Sequence, residues 1–169
     1  MNAPRILHRP ATAGDAAAMV NVHYAAVQAV DRRYYSDEVI SAWSPPPDAS
    51  RRDWLADLIC QASTLCTVAV ADDGAIAGFC IAIPGQTLLK ALYVHPGFAG
   101  QGIGQGLLRE MESRCLAMQL ESLELNASHN AEAFYRRCGY ETRGPVEQPL
   151  TDKVAMPATR MVKQLDGFP

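Results

Sequence analysis

The stretch that most limits what this chain can fold into runs from Leu88 to Leu108, L-L-K-A-L-Y-V-H-P-G-F-A-G-Q-G-I-G-Q-G-L-L. Its first part is apolar and reads as a buried strand. His95-Pro96-Gly97 stops that strand, and a glycine-dense turn leads into an amphipathic helix. Strand, glycine turn and helix start in this order make an anion site. The first backbone N–H groups of a helix lack an intrahelical acceptor, and the macrodipole adds about half a positive charge there, so a phosphate is held without a lysine. Gly100, Gly102, Gly104 and Gly106 would let the backbone come close to that phosphate. The plain alternative is a tight turn with no ligand, because glycine punctuates turns of every kind.

Two nucleotide-binding patterns fail on these residues. A Walker A loop ends in Gly-Lys-Ser/Thr, whereas Gly104 is followed by Gln105 and Gly106. For G-x-G-x-x-G, the third glycine falls on Gln105 counting from Gly100, and on Leu107 counting from Gly102. What remains is G-Q-G-I-G after Leu92-Tyr93-Val94-His95-Pro96. This resembles the pyrophosphate loop of the GNAT superfamily of N-acetyltransferases, in which Arg/Gln-x-x-Gly-x-Gly/Ala follows a strand of the type Leu-Tyr-Val-x-Pro. Ala99 stands where the family has Arg or Gln, which removes a side-chain contact to the pyrophosphate and leaves the backbone donors.

A second motif lies downstream, in the stretch Asn126 to Tyr140. Asn130 is expected to open a helix carrying Phe134 and Tyr135, with Gly139 as its stop before an edge strand from Tyr140. It resembles the second superfamily motif, with Asn130, Ala133, Tyr135 and Gly139 in the matching places. The resemblance covers residues 64 to 141 with specificity, and the opening Arg-x-x-x-Arg-Pro-Ala-Thr-x-x-Asp more loosely.

The resemblance implies an α/β (α+β) GNAT fold: a central, mostly antiparallel mixed sheet of six to seven strands, splayed at the cofactor site and flanked by about four helices. In the family the first of two central parallel strands ends in a bulge, and pantetheine lies in the gap. Carried over, Leu92, Tyr93 and Val94 would pair with the pantetheine arm. Gly100, Gln101, Gly102, Ile103, Gly104 and Gln105 would cradle the pyrophosphate of acetyl-CoA, and Asn130 would bond the cofactor from the other side. Tyr135 would donate a proton to the leaving thiolate; its alternative is a half-buried packing aromatic.

With 169 residues, 49% hydrophobic and 20% charged, the chain reads as one folded domain. The expected parts are an N-terminal strand and helical acceptor-side region (about 1–62), a cofactor-binding core (about 64–144) and a C-terminal loop and strand (about 145–169). A net charge of -3 speaks against a general nucleic-acid binder. Cys60, Cys66, Cys80, Cys115 and Cys138 form no C-x-x-C pair, and neither they nor the four histidines have metal-ligand spacing, so no metal is expected. Without a long apolar run the protein reads as soluble and cytoplasmic, with no membrane partner. Self-association as a homodimer stays open.

Taken in order, residues 5 to 9 form a short first strand and Asp15 to Val30 a helix whose apolar stripe includes His23, either a core-edge histidine or a substrate-facing one. Ser36 caps a short helix with Val39, Ile40 and Trp43, which Ser44-Pro45-Pro46-Pro47 ends. Ser50, with Asp53 three residues on, is expected to cap the next helix. Thr64 to Ala71 and Ala75 to Ile83 form a hairpin around Asp72-Asp73-Gly74. Ser122 to Ala127 is a strand, and Thr159 to Leu165 the last one.

Transfer to an amine needs the unprotonated amine, hence a base or a water chain leading to one. Relatives carry an acid ahead of Leu-Tyr-Val, but Lys90 lies there, so Asp37, Glu38, His23, His95 and Glu124 all stay candidates. Tyr34, Tyr35 and Trp43 would wall the acceptor pocket, or the proline-rich region is only a rigid linker. Asp31, Asp37 and Glu38 could attract a cationic amine, and Arg32 and Arg33 beside them could equally attract a carboxylate, so the sign of the acceptor stays open, with a lean to an amine that also carries a carboxylate. The resulting expectation is an acetyl-CoA-dependent N-acetyltransferase acting on a primary amine of a small molecule or peptide. Its rival is an acyl-CoA-binding sensor or interaction domain with the same fold and little turnover.

Overall fold

The computed structural model describes residues 5–166. In chain order the elements are β1 (Leu7–Pro10), α1 (Ala16–Gln28), α2 (Asp37–Trp43), α3 (Ala49–Cys60), β2 (Leu65–Val70), β3 (Ile76–Ile83), β4 (Leu88–Val94), α4 (Ile103–Ala117), β5 (Ser122–Ser128), α5 (Glu132–Arg137), β6 (Glu141–Pro149) and β7 (Ala155–Gln164). The seven strands form one sheet in the order β1-β2-β3-β4-β5-β7-β6, antiparallel at every step but β4 beside β5. This is the splayed, mostly antiparallel sheet expected, with five helices instead of about four.

Alternation along β3 assigns the two faces. Cys80 and Ala82 point to one side, where Leu107, Leu108 and Met111 of α4 and Tyr135 of α5 cover the sheet. Phe79 and Ile81 point to the other, under Met19 and Val20 of α1 and Leu55 and Leu58 of α3. A third cluster, Val27, Tyr35, Ile40 and Met156, joins α1 and α2 to β7.

Several local expectations need correction. The α3 cap is Asp48, whose carboxylate accepts from Arg51 N at 2.8 Å. The proline run holds the chain extended up to that residue, so the helix starts before Ser50, and Asp53 instead pairs with Arg52. Asn130 does not open α5: Ala131 N bonds Ser128 O at 2.9 Å, and that turn keeps Asn130 outside the helix. Pro145 to Pro149 continue β6 and are not loop, because β6 is an edge strand whose prolines cost no second ladder. The last strand correspondingly starts at Ala155, ahead of Thr159. Gly139 does end α5, with φ +93°.

Candidate active site

The site begins with a missing ladder. β4 and β5 share one register pair, Leu88 with Glu124, beside a bond from Glu124 N to Thr87 O of 2.8 Å. Past it the strands separate, and the β5-facing edge of β4 keeps main-chain donors and acceptors without a partner strand. Two features steer β4 toward β3. Ile81 pairs with Ala91 and Ala82 with Leu89, so Lys90 is the extra residue of a bulge. Gly78 lets the Tyr93 carbonyl come so close that a Cβ there would lie 2.8 Å from its oxygen. The bulge thus sits mid-strand, at Lys90, and not at the strand end.

At the end of β4 the chain turns through Gly100 and Gly102, both at φ +76°, a conformation that favours glycine. Gly106 N is the first amide of α4 to bond back, to Gly102 O at 3.0 Å, which leaves the amides of Ile103, Gly104 and Gln105 without a backbone acceptor. Gly104 and Gly106 also lie in close packing. A Cβ on Gly104 would meet the Phe134 ring at 3.4 Å, and one on Gly106 would stand 2.8 Å from the His8 ring. The Ile103 side chain is buried in the core.

Between β4 and β5 lies a groove of about 600 Å³. Leu92, Tyr93, Val94, Asn130 and Tyr135 line it together, and Ala99 marks its end below the glycine turn; Gly100 to Gln105 are not among its walls. The Tyr135 ring is 8% exposed, and among the described residues its hydroxyl has no hydrogen-bond partner. Burial, with Cys80 nearby, holds its pKa well above the ordinary value, so the phenol stays protonated.

A second compartment, about 540 Å³, opens on the α1–α3 side. Trp43, Lys90, Ala91, Tyr93 and Leu150 line both, so the two meet there. Trp43 Nε1 donates to Tyr93 Oη at 3.0 Å, and burial pushes the Tyr93 phenol up to about 12. Behind Tyr93, His23 packs edge-on at 4.4 Å between ring centroids. His23 Nδ1 lies 3.0 Å from Arg51 Nη2 and 2.9 Å from the fully buried Ser44 Oγ. Arginine only donates, so Nδ1 is the acceptor and the neutral ring carries its proton on Nε2. Burial and then Arg51 lower the His23 pKa to about 4.

The other proposed bases are elsewhere. Asp37 is exposed and pairs with Arg32 at 2.8 Å; Glu38 is exposed; Glu124 pairs with Arg160 at 2.7 Å; His95 Nδ1 accepts from Gly97 N at 3.0 Å. None of the four lines either compartment. Of the expected aromatic walls only Trp43 is one. Tyr34 is 47% exposed. Tyr35 is buried, donating to Pro157 O at 2.7 Å and accepting from His129 N at 2.8 Å. Arg33 is bound to Asp31, and neither it nor Arg32 reaches the compartments. Sequence reasoning missed Ser44 and Arg51, whose one signal was position beside the proline run.

Among the described residues no three His, Cys, Asp or Glu come together as a metal site, and no helix is long and apolar enough to cross a membrane. None of the five cysteines, all free, lines the groove. Burial raises the Cys66 and Cys115 thiols to about 12 and about 11.

Comparison with known proteins follows the same geometry. The family model described as an acetyltransferase (GNAT) domain matches residues 32–165. A GCN5-related N-acetyltransferase of Rhodopseudomonas palustris is 25% identical, with 98% of each chain covered and a TM-score of 0.81. The PaiA N-acetyltransferase of Thermoplasma acidophilum, solved with coenzyme A, is 21% identical over 95% of this chain and 99% of that one, TM-score 0.74. A phosphinothricin acetyltransferase of Sinorhizobium meliloti, solved with acetyl-CoA, is 21% identical over 95% and 88%, TM-score 0.72. A search of curated proteins gave no match.

Proposed function

Because the chain belongs to the GNAT acetyltransferase family, we propose that it is a single acetyltransferase domain that moves the acetyl group of acetyl-CoA to a primary amine of a small molecule or peptide by direct attack. The observation that carries this reading is the opening of β4 from β5 past Leu88, with a bare helix start at one end and the Tyr135 hydroxyl in the wall. The unpaired edge at Leu92, Tyr93 and Val94 would pair with the pantetheine amides. The turn from Gly100 to Gln105 would receive the pyrophosphate on its amides, the part Ala99 cannot play with a side chain. Asn130 would bond the arm from the opposite wall.

The unprotonated amine attacks: the C–N bond forms, the C–S bond breaks with its electron pair going to sulfur, and the proton shed by nitrogen passes through water to the thiolate. No cysteine in the groove offers a covalent detour, which favours one step over two. A thiol titrates near about 8.5, whereas the Tyr135 phenol lies well above 10. Full proton transfer from Tyr135 to the thiolate would run uphill, so its role is to donate a hydrogen bond to the sulfur as charge develops.

Thiol release measured over a panel of primary amines tests the reading, with calorimetry for acetyl-CoA binding. Tyr135→Phe should lower kcat by roughly 10²-fold with little change in cofactor affinity; normal turnover would leave Tyr135 a packing residue. Acetyl-CoA binding with no thiol release from any amine would assign the chain to a sensor role instead.

A further inference from the structure

We propose that the acceptor is a small amine carrying a carboxylate on an apolar frame, and that Arg51, with Lys90 of β4 as the second cation, binds that carboxylate. This rests on the acetyl-transfer reading above and names the substrate class of the same site. Among the described residues the charged ones lining the two compartments are Arg51 and Lys90, and no carboxylate lines either. A cationic acceptor such as a polyamine would find repulsion and no counter-ion there. Around the cations the second compartment is apolar, with Leu58, Phe79 and Trp43 inside and Trp54, 60% exposed, at its mouth.

Among the described residues Arg51 is the one arginine that lines a compartment, whereas Arg114, likewise held by a neutral acceptor, Thr67 Oγ1 at 2.7 Å, lies away from both. Arg9, Arg32, Arg33, Arg52, Arg136, Arg143 and Arg160 each pair with a carboxylate. Arg51 has neutral acceptors: the Pro45 carbonyl at Nη1, and Ser44 Oγ at 3.2 Å and His23 Nδ1 at 3.0 Å at Nη2. Among the described residues no acid lies within ion-pair distance of it. Of its five N–H donors, Nε–H and one Nη1–H remain, on a guanidinium that three contacts hold still. Those two donors lie on different edges of the guanidinium, so a carboxylate oxygen takes either one singly, and its charge offsets the burial that lowers the Arg51 pKa. The arginines singled out by sequence, Arg32 and Arg33, give way to this one.

The test compares leucine, methionine, phenylalanine and tryptophan with their carboxamides, and with phosphoethanolamine, as acceptors. The parent protein should prefer acid to amide by at least tenfold in kcat/KM. Arg51→Gln should shrink that preference at least tenfold, chiefly through KM, and Arg51→Lys should keep part of it. Acetyl-CoA affinity within twofold of the parent shows that both variants are folded. Equal use of acid and amide by the parent, an unchanged ratio in Arg51→Gln, or preference for phosphoethanolamine would overturn the assignment. If no amine turns over, calorimetry of the same pairs on the coenzyme A-loaded protein still decides. Acid-selective binding lost in Arg51→Gln would support the carboxylate site while the transfer reading falls; absent or unselective binding would overturn the site itself.

Discussion

The two compartments that meet at Trp43 and Tyr93 are built by opposite means. The groove between β4 and β5 rests on main chain: a strand edge released by one bulge, with helix amides exposed by two glycines at positive φ beyond its end. The compartment beside α3 is made of side chains drawn from far apart, with His23, Ser44, Arg51 and Tyr93 bonded or stacked across four elements and loops. The first would be most sensitive where backbone conformation is at stake. The second depends on each polar group keeping its partner, since an orphaned buried donor or acceptor costs about 1–3 kcal/mol.

The largest expected effect lies on the side-chain-built half. His23 titrates at about 4 in the fold against about 6.5 unfolded. The unfolded chain therefore takes the proton first, and the stabilisation is complete above pH 6.5 and lost as pH falls toward 4. The loss amounts to up to about 3 kcal/mol. Chemical denaturation of the parent and His23→Asn across that window should show the slope in the parent alone; equal slopes would mean His23 is solvated.

Tyr35→Phe comes next. It strips the Pro157 carbonyl and the His129 amide of one shared partner, at about 2 kcal/mol of stability by denaturant unfolding. A loss below about 0.5 kcal/mol would mean water replaces the hydroxyl.

On the backbone-built half, Gly102→Val forces a branched residue to φ +76° beneath the helix amides. Acetyl-CoA affinity by calorimetry should fall more than tenfold, about 1.4 kcal/mol or more, and parental affinity would sink the loop assignment. The smallest effect belongs to Arg32→Ala and Arg33→Ala. Their ion pairs are exposed and lie outside both compartments, so the acid-to-amide preference should stay within about twofold. A collapse of that ratio would return substrate reading to the α1–α2 loop.

By itself the sequence determined the strand, glycine turn and helix of Leu88 to Leu108, the hairpin at Asp72-Asp73-Gly74, the α5 stop at Gly139, and through its two motifs the family. Each rests on contacts between near neighbours, where φ preference, turn chemistry and apolar period act over a few residues. It misjudged what depends on distant partners. Pro145 and Pro149 were compatible with a strand only because β6 falls at the sheet edge. That Phe134 and His8 pack against Gly104 and Gly106 was likewise beyond the sequence. Arg32 and Arg33 stood beside acids whose pairing the sequence left open, and Asp37 and Asp31 bind them, while Arg51, unremarkable in its helix, met Ser44 and His23. Which charge stays unneutralised is a property of the packed surface, because it depends on side chains that only the folded chain brings within about 4 Å.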